Sequence, residues 1–258
     1  MADVIDLNSD LGESFAAWTM GDDAAMLDVV TTANVACGFH AGDPMVMHAT
    51  LTLAAAKGVA VGAHPSFWDL GGFGRRQLRD ERPCDVEKQV AYQVGALLGV
   101  AALAGCPVRH VKAHGALANM AAEDAELAVA VARAVRAVDR RLILVVMPGS
   151  ALERAGAAQG LTLAREVYAD RTYDAAGNLT PRKIAGAVID DPAIALRRVQ
   201  EMVESGSIPT AGGARLRVPI DTICVHGDNP AAVAMARAIR GGLEAAGVTL
   251  RPFALTLA

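Results

Sequence analysis

Short apolar runs alternate with longer helical patterns from one end of this chain to the other. That alternation limits the fold more than any other feature, because it is the signature of parallel strands joined by helical crossovers. Seven strands are expected, over 4–8, 33–37, 59–63, 108–112, 142–147, 163–168 and 222–226, with the clearest helices over 83–104, 120–138, 190–204 and 230–246. Pro44 after Asp43, Pro192 after Asp191 and Pro230 after Asn229 each read as a capping residue followed by a first-turn proline. Two segments interrupt the pattern, 171–182 and 206–219 with its Gly212-Gly213 turn, and each predicts a hairpin or lid over one end of a sheet. At 258 residues, with 53% hydrophobic and 20% charged residues and no break in composition, the expectation is a single domain spanning 1–258. Seven βα units can close as a barrel or wind as an open sheet, and periodicity alone does not decide.

The polar residues decide. Side chains alternate across a strand, so Asp6, Asn8 and Asp10 share one face of the first strand. His110, Lys112 and His114 share a face of the fourth, and Thr222, Cys224, His226 and Asp228 a face of the seventh. A sheet covered on both sides reads as continuous Val, Ile and Leu, so one polar face on several strands implies a shared hydrated cavity. A barrel mouth fits best. His40, His64, His114 and His226 stand at or just beyond the carboxyl ends of predicted strands, where parallel α/β folds build their sites, with Asp10, Glu13, Asp43 and Asp228 nearby. His48 falls inside a helix and reads as structural; His110, deeper in its strand, reads as core.

A net charge of -4 with no run of Lys or Arg makes nucleic acid an unexpected partner. No stretch of 18 apolar residues and no basic, apolar leader occurs, so no membrane segment is expected and the reading is cytoplasmic. Cys37, Cys84, Cys106 and Cys224 lack C-x-x-C spacing and read as reduced core or loop thiols.

Several stretches resemble signatures of the LamB/YcsF family. They are Asp6-Leu7-Asn8-Ser9-Asp10-Leu11-Gly12-Glu13, the run Ala33 to Pro44 containing Cys37-Gly38-Phe39-His40-Ala41-Gly42-Asp43, and Gly62-Ala63-His64-Pro65-Ser66. Gly72-Phe73-Gly74-Arg75-Arg76, Val111-Lys112-Ala113-His114-Gly115-Ala116-Leu117, Ala169-Asp170-Arg171 and Val225-His226-Gly227-Asp228 follow in family order. The resemblance implies a seven-stranded (β/α) barrel, TIM-barrel-like and related to sugar deacetylases. It also implies the activity of the A subunit of a prokaryotic ATP-dependent 5-oxoprolinase, working with subunits B and C on a small lactam. Ala113 and Ala118 depart from the Pro and Tyr usual there, which predicts a wider pocket and leaves the preferred lactam open.

Opening an unstrained lactam needs coupled energy, and ATP is the expected co-substrate. The chain has neither G-x-x-x-x-G-K-[ST] nor G-x-G-x-x-G after a strand, so ATP is expected to bind mainly through the partner subunits, which would deliver a phosphorylated lactam to the mouth. Hydrolysis there needs a base, a proton donor and fixed positive charge. The catalytic candidates are Asp10 as base, His64 and His114 as proton donors or orienters, and Lys112 as cation; Asn8, Asn34, His40, Arg75, Asp170, Arg171 and His226 are candidates for substrate binding. The Gly71–Arg76 loop reads as a lid with a gripping guanidinium or as a solvated loop; Asp170 and Arg171 read as a mutual ion pair or as direct ligands; Asp43 and Asn229 read as caps. Whether a divalent metal is bound is open; if so, Asp10, His40 and His64 are the expected ligands, and the chain could be a metal-dependent amidohydrolase working alone. A non-catalytic lactam-binding or regulatory subunit is a third reading, disfavoured by so many titratable groups on one face.

Overall fold

The structure, a computed structural model, describes residues 4–226 and 230–257. Seven parallel strands close on themselves: β1 (Val4–Leu11), β2 (Thr32–Ala36), β3 (Ala60–His64), β4 (Val108–Lys112), β5 (Ile143–Val146) and β6 (Leu163–Tyr168) pair in sequence order. After a two-stranded antiparallel hairpin, β7 (Ser207–Pro209) and β8 (Arg215–Arg217), strand β9 (Thr222–Cys224) pairs with both β6 and β1 and shuts the barrel. A last short strand, β10 (Thr249–Leu250), extends the start of β1. Around the barrel lie α1 (Asp23–Met26), α2 (Pro44–Lys57), α3 (Pro83–Leu103), α4 (Gly115–Glu123), α5 (Ala125–Val138), α6 (Ala151–Ala158), α7 (Pro192–Ser205) and α8 (Pro230–Ala245).

Local chemistry sets the boundaries. The Asp43 carboxylate accepts from the Met45 and Val46 amides at 2.8 and 3.1 Å, Pro44 opens the first turn of α2, and Gly58 closes it in the left-handed region. Asp191, Pro192 and Gly206 do the same for α7. The helix expected over 120–138 is two helices, because Asp124 adopts an extended conformation and caps α5 through the Glu126 and Leu127 amides. The 206–219 segment forms the expected hairpin, whereas 171–182 is an irregular strap held by isolated bridges, Tyr173 to Leu179 and Arg171 to Val188. Strap and hairpin meet, since the Ala211 amide donates to the Tyr173 carbonyl at 2.8 Å. Asn229, expected as a cap, and Asp228 fall outside the described residues.

The outward faces of the strands, Leu7, Val35, Val61, Val111, Leu144, Val167 and Ile223 among them, are fully buried and form one core with the helices. The barrel interior is different. It is polar along β1, β2, β4 and β9 and apolar only at one side of its base, where Ile143, Val145 and Ala164 pack with Phe253 of the C-terminal segment. Gly62 of β3 makes room for the His110 ring, into which a Cβ at that position would project. Low in the barrel, Asp6 accepts from the hydroxyls of Thr31 at 2.7 Å, Thr32 at 2.5 Å and Thr222.

Burial pushes the Asp6 carboxyl up to about 6 despite those donors. The folded state thus binds the proton more tightly than the unfolded state, so Asp6 favours folding below its ordinary value and that contribution disappears as pH rises through about 6, a change of about 3 kcal/mol. Chemical denaturation of wild type and Asp6→Asn at pH 4 to 7 should show the variant gaining on the wild type as pH rises. A pH-independent difference would overturn this account.

Candidate active site

The carboxyl ends of the strands open into a cavity of about 510 Å³. Its floor carries Asp10, Lys112 and Tyr168 from the strands, with Glu13, His64 and His114 at or just beyond strand ends. Its lining also carries Arg75, Arg79, Arg171, Arg182, Lys183 and His226, with the acidic Glu123 and Asp124 among them. Asp10, His40, His64, Lys112 and His114 therefore gather at one end of the barrel, Asp10, Lys112 and His114 by the alternation of β1 and β4 and His40 and His64 by their places at the ends of other strands.

Lys112 lies at the centre, 3% exposed. Its ammonium stands 2.7 Å from Glu166 Oε1, 3.0 Å from Asp10 Oδ1 and 3.2 Å from Cys224 Sγ. Burial alone would strip its proton, but the Asp10 carboxylate foremost holds it well above its ordinary value. The converse holds for Asp10: burial raises it, and the neighbouring His64 and the Lys112 ammonium outweigh burial and keep it well below the usual carboxylate range. Asn34 Nδ2 also donates to Asp10 Oδ1 at 3.0 Å and to Asn8 Oδ1 at 2.8 Å. Asn8 in turn donates to Thr222 at 2.6 Å, and His110 Nε2 donates to Asn34 Oδ1 at 2.7 Å. Asn8 and Asn34 do not line the cavity; they sit beneath it and hold Asp10 and Lys112 in place. Burial lowers His110 to about 3, in keeping with its expected core position.

Three histidines form one wall. His64 Nδ1 donates to the Lys112 carbonyl at 2.7 Å, and His114 Nε2 to the Phe73 carbonyl at 2.9 Å. His114 Nδ1 faces His64 Nε2 at 3.0 Å, and Asp10 Oδ2 approaches the same His64 nitrogen at 3.3 Å. His40 lies behind the wall, stacked on His114 with ring centres 3.8 Å apart, its Nε2 3.0 Å from Glu13 Oε1. Burial drives His40 and His114 well below the usual imidazole range and raises Glu13. Glu13, His40, His64 and His114 offer donor atoms within 4.8 Å of one another, a set that can hold a metal ion. This set contains Glu13 and His114 beside the two histidines expected as ligands, and Asp10 stands next to it. Gly74, with φ +64°, permits the close approach, since a Cβ there would press on Ser66, His114 and His40.

Across the cavity, Asp170 Oδ2 pairs with His226 Nδ1 at 2.5 Å, and Arg182 Nη2 donates to His226 Nε2 at 2.9 Å. Asp170 and Arg171 are not the mutual pair considered above: Asp170 is taken by His226, while Arg171 binds the Ala187 and Thr180 carbonyls and ties down the strap. In the Gly71–Arg76 loop it is Arg76 that pairs with Asp69, leaving Arg75 on the cavity wall, 5.0 Å from the centre of the Phe73 ring. Glu166, Tyr168 and Arg182 are members of the site that the sequence patterns do not single out. Glu166 and Tyr168 share a face by the same period-2 rule that exposes Asp10, so a signal for them exists; Arg182 sits in an irregular strap that has no period.

The chain matches the LamB/YcsF family over residues 5–258. It belongs to that family. A LamB/YcsF relative from Rhodopseudomonas palustris (strain BisB5), named as the A subunit of 5-oxoprolinase, is 54% identical over 250 residues, covering 97% of this chain and 98% of that one. The crystal structure of a lactam utilization protein from Thermus thermophilus superposes with a TM-score of 0.91 at 44% identity, covering 97% and 99% of the two chains. At 15% identity, a deacetylase called T48, solved with substrate, shares the fold alone, with a TM-score of 0.50 over 96% of this chain and 87% of its own.

The ion cluster generates a stability test. Lys112→Met leaves two buried carboxylates without a counter-charge and should cost about 3–5 kcal/mol in denaturant unfolding. Adding Glu166→Gln should recover part of that loss; a double variant whose losses simply add would show that the two side chains are not energetically linked.

Proposed function

We propose that this LamB/YcsF chain is the A subunit of an ATP-dependent 5-oxoprolinase, opening the lactam of 5-oxo-L-proline to L-glutamate while ATP goes to ADP and phosphate. The whole-length likeness to a protein of that name carries the reading. The chemistry of the mouth agrees with it. Asp10 is the base that takes a proton from the attacking water, its ionised state maintained by Lys112. His64 and His114 orient the reacting groups or return a proton to the ring nitrogen, which becomes the amine of the product. Lys112 is a fixed cation beneath the carbonyl, and Arg75, Arg171 and Arg182 of the lining suit a phosphorylated or carboxylated substrate. His226 binds substrate from the opposite wall, where Asp170 holds its ring. Ala113 and Ala118 both line the cavity, so their small side chains leave added space beside the substrate.

The chain has no phosphate-cradling loop of the two common kinds, which assigns nucleotide binding and lactam activation to the B and C subunits. A reaction confined to soluble components fits a cytoplasmic enzyme, and among the described residues no helix is long and apolar enough to cross a membrane. A second reading, a metal-dependent amidohydrolase working alone, draws on the Glu13, His40, His64 and His114 cluster.

Glutamate formation from 5-oxoproline, measured with this chain alone and with candidate B and C subunits, separates the two. The first reading expects ATP-dependent product only in the mixture and negligible ATPase from the lone chain; ATP-independent, chelator-sensitive turnover by the lone chain favours the second. Asp10→Asn should lower assembled turnover by roughly 10²-fold or more while the protein still folds, the usual scale for a lost general base. Near-wild-type turnover would refute Asp10 as the base.

A further inference from the structure

A backbone carbonyl can only accept, so the two carbonyl contacts at the histidine wall fix where the ring protons are. His64 carries its proton on Nδ1, facing the Lys112 carbonyl at 2.7 Å, and His114 carries its proton on Nε2, facing the Phe73 carbonyl at 2.9 Å. In neutral rings the nitrogens that remain, His64 Nε2 and His114 Nδ1, hold lone pairs, and they stand 3.0 Å apart. Two lone pairs at that separation repel unless a positive centre lies between or beside them. Negative charge converges on the same spot: Glu13 Oε1 is 3.6 Å from His114 Nδ1, and Asp10 Oδ2 is 3.3 Å from His64 Nε2.

Imidazoles whose far N–H is pinned by a carbonyl are how metal-ligating histidines are oriented. Two nitrogens bound at about 2.0–2.1 Å to one ion lie about 3 Å apart when adjacent in its coordination shell, which is the separation seen here. His40 does not share that ion. Its ring lies parallel to that of His114, within 7° and 3.8 Å away, so an ion in the plane of His114 lies well outside the plane of His40. His40 Nε2 instead donates to Glu13 Oε1 at 3.0 Å and aims the carboxylate.

We propose that Glu13, His64 and His114 bind one divalent transition-metal ion, with His40 as a positioning residue for Glu13. Two imidazoles and one carboxylate select the borderline ions, Zn²⁺, Fe²⁺ or Co²⁺, over Mg²⁺ and Ca²⁺. All three ligands line the cavity, so the remaining coordination positions face the space a substrate would enter. Such an ion acidifies bound water and polarises a carbonyl. The inference stands whether or not ATP and partner subunits are required for turnover.

The full chain, stripped with a chelator and titrated with Co²⁺, tests it without any reference to lactam hydrolysis. The expected result is one equivalent of Co²⁺ per chain at micromolar concentration, with visible d–d absorption that Zn²⁺ displaces, and a thermal midpoint that rises with ion concentration. Glu13→Gln and His114→Gln should each abolish the absorption band, and His40→Gln should weaken binding by about 10–100-fold, the range for an outer-shell partner. Circular dichroism of each variant checks that it has folded, and the wild-type spectrum does not depend on any variant. Wild-type protein that takes up no stoichiometric Co²⁺ or Zn²⁺ would overturn the site, as would folded variants that bind as tightly as wild type. Imidazole nitrogen resonances of a proton shared between His64 and His114, unchanged by added metal, would overturn it too.

Discussion

The ammonium of Lys112, sealed inside the barrel between Asp10 and Glu166, is the interaction on which the rest of the molecule depends. Desolvating one charge costs several kcal/mol, and only close, well-formed partners offset it. The fold supplies them from three strands at once, β1, β6 and β9, which fixes the relative register of those strands. Asn34 then ties Asp10 to Asn8, and Asn8 ties both to Thr222 and through it to Asp6. A chain of hydrogen bonds thus runs from the base of the barrel to the floor of the cavity. Asp10 is held from below, with one oxygen occupied by Lys112 and Asn34 and the other turned to His64.

That arrangement reverses the usual interior of a parallel barrel, which is filled by branched aliphatic side chains. Here the apolar packing lies between strands and helices, and the interior is a polar network in which His110 Nδ1 is left without a hydrogen-bond partner. Such networks tolerate little error, because in low dielectric each unpaired group is costly. Glycine is required where the network is most crowded: Gly62 gives the His110 ring its place, and Gly74 lets the loop after the Asp69 turn close over His114.

The strands are legible in the sequence because period-2 alternation survives burial, and β4 and β6 have the expected bounds. The polar face of β1 and β4 gives the direction of Asp10, Lys112 and His114 for the same reason. Glu166 follows the same rule, but in a strand otherwise reading as core its partner on the distant β4 leaves no local mark. Glu13 stands in view beside Asp10, yet nothing local shows that the turn at Gly12 sends its carboxylate toward His40 and His114. The fate of Arg171 is hidden as well. Its neighbour Asp170 offers an ion pair, and only the folded strap reveals that carbonyls at Thr180 and Ala187 take the guanidinium while His226 takes the carboxylate. Contacts between distant loops are set by tertiary packing, which a one-dimensional pattern does not record.

The two ends of the barrel are unequal in a way that assigns them different work. At the base, Phe253 stacks edge-on against His110 with ring centres 5.0 Å apart and packs on Ile143, Val145 and Ala164. That plug keeps water from the lower network and leaves Asp6 and His110 in surroundings that suppress charge. At the mouth, the same polar strands end among arginines contributed by loops, Arg75 on one side and Arg171 and Arg182 on the strap. Below them the floor is already charge-balanced, with Lys112 paired to Asp10 and Glu166. The strap is itself anchored through Arg171 and through Tyr173, whose hydroxyl accepts from the Tyr168 amide at 2.7 Å. Floor and rim therefore meet at Tyr168, which links the wall of the cavity to the segment that covers it.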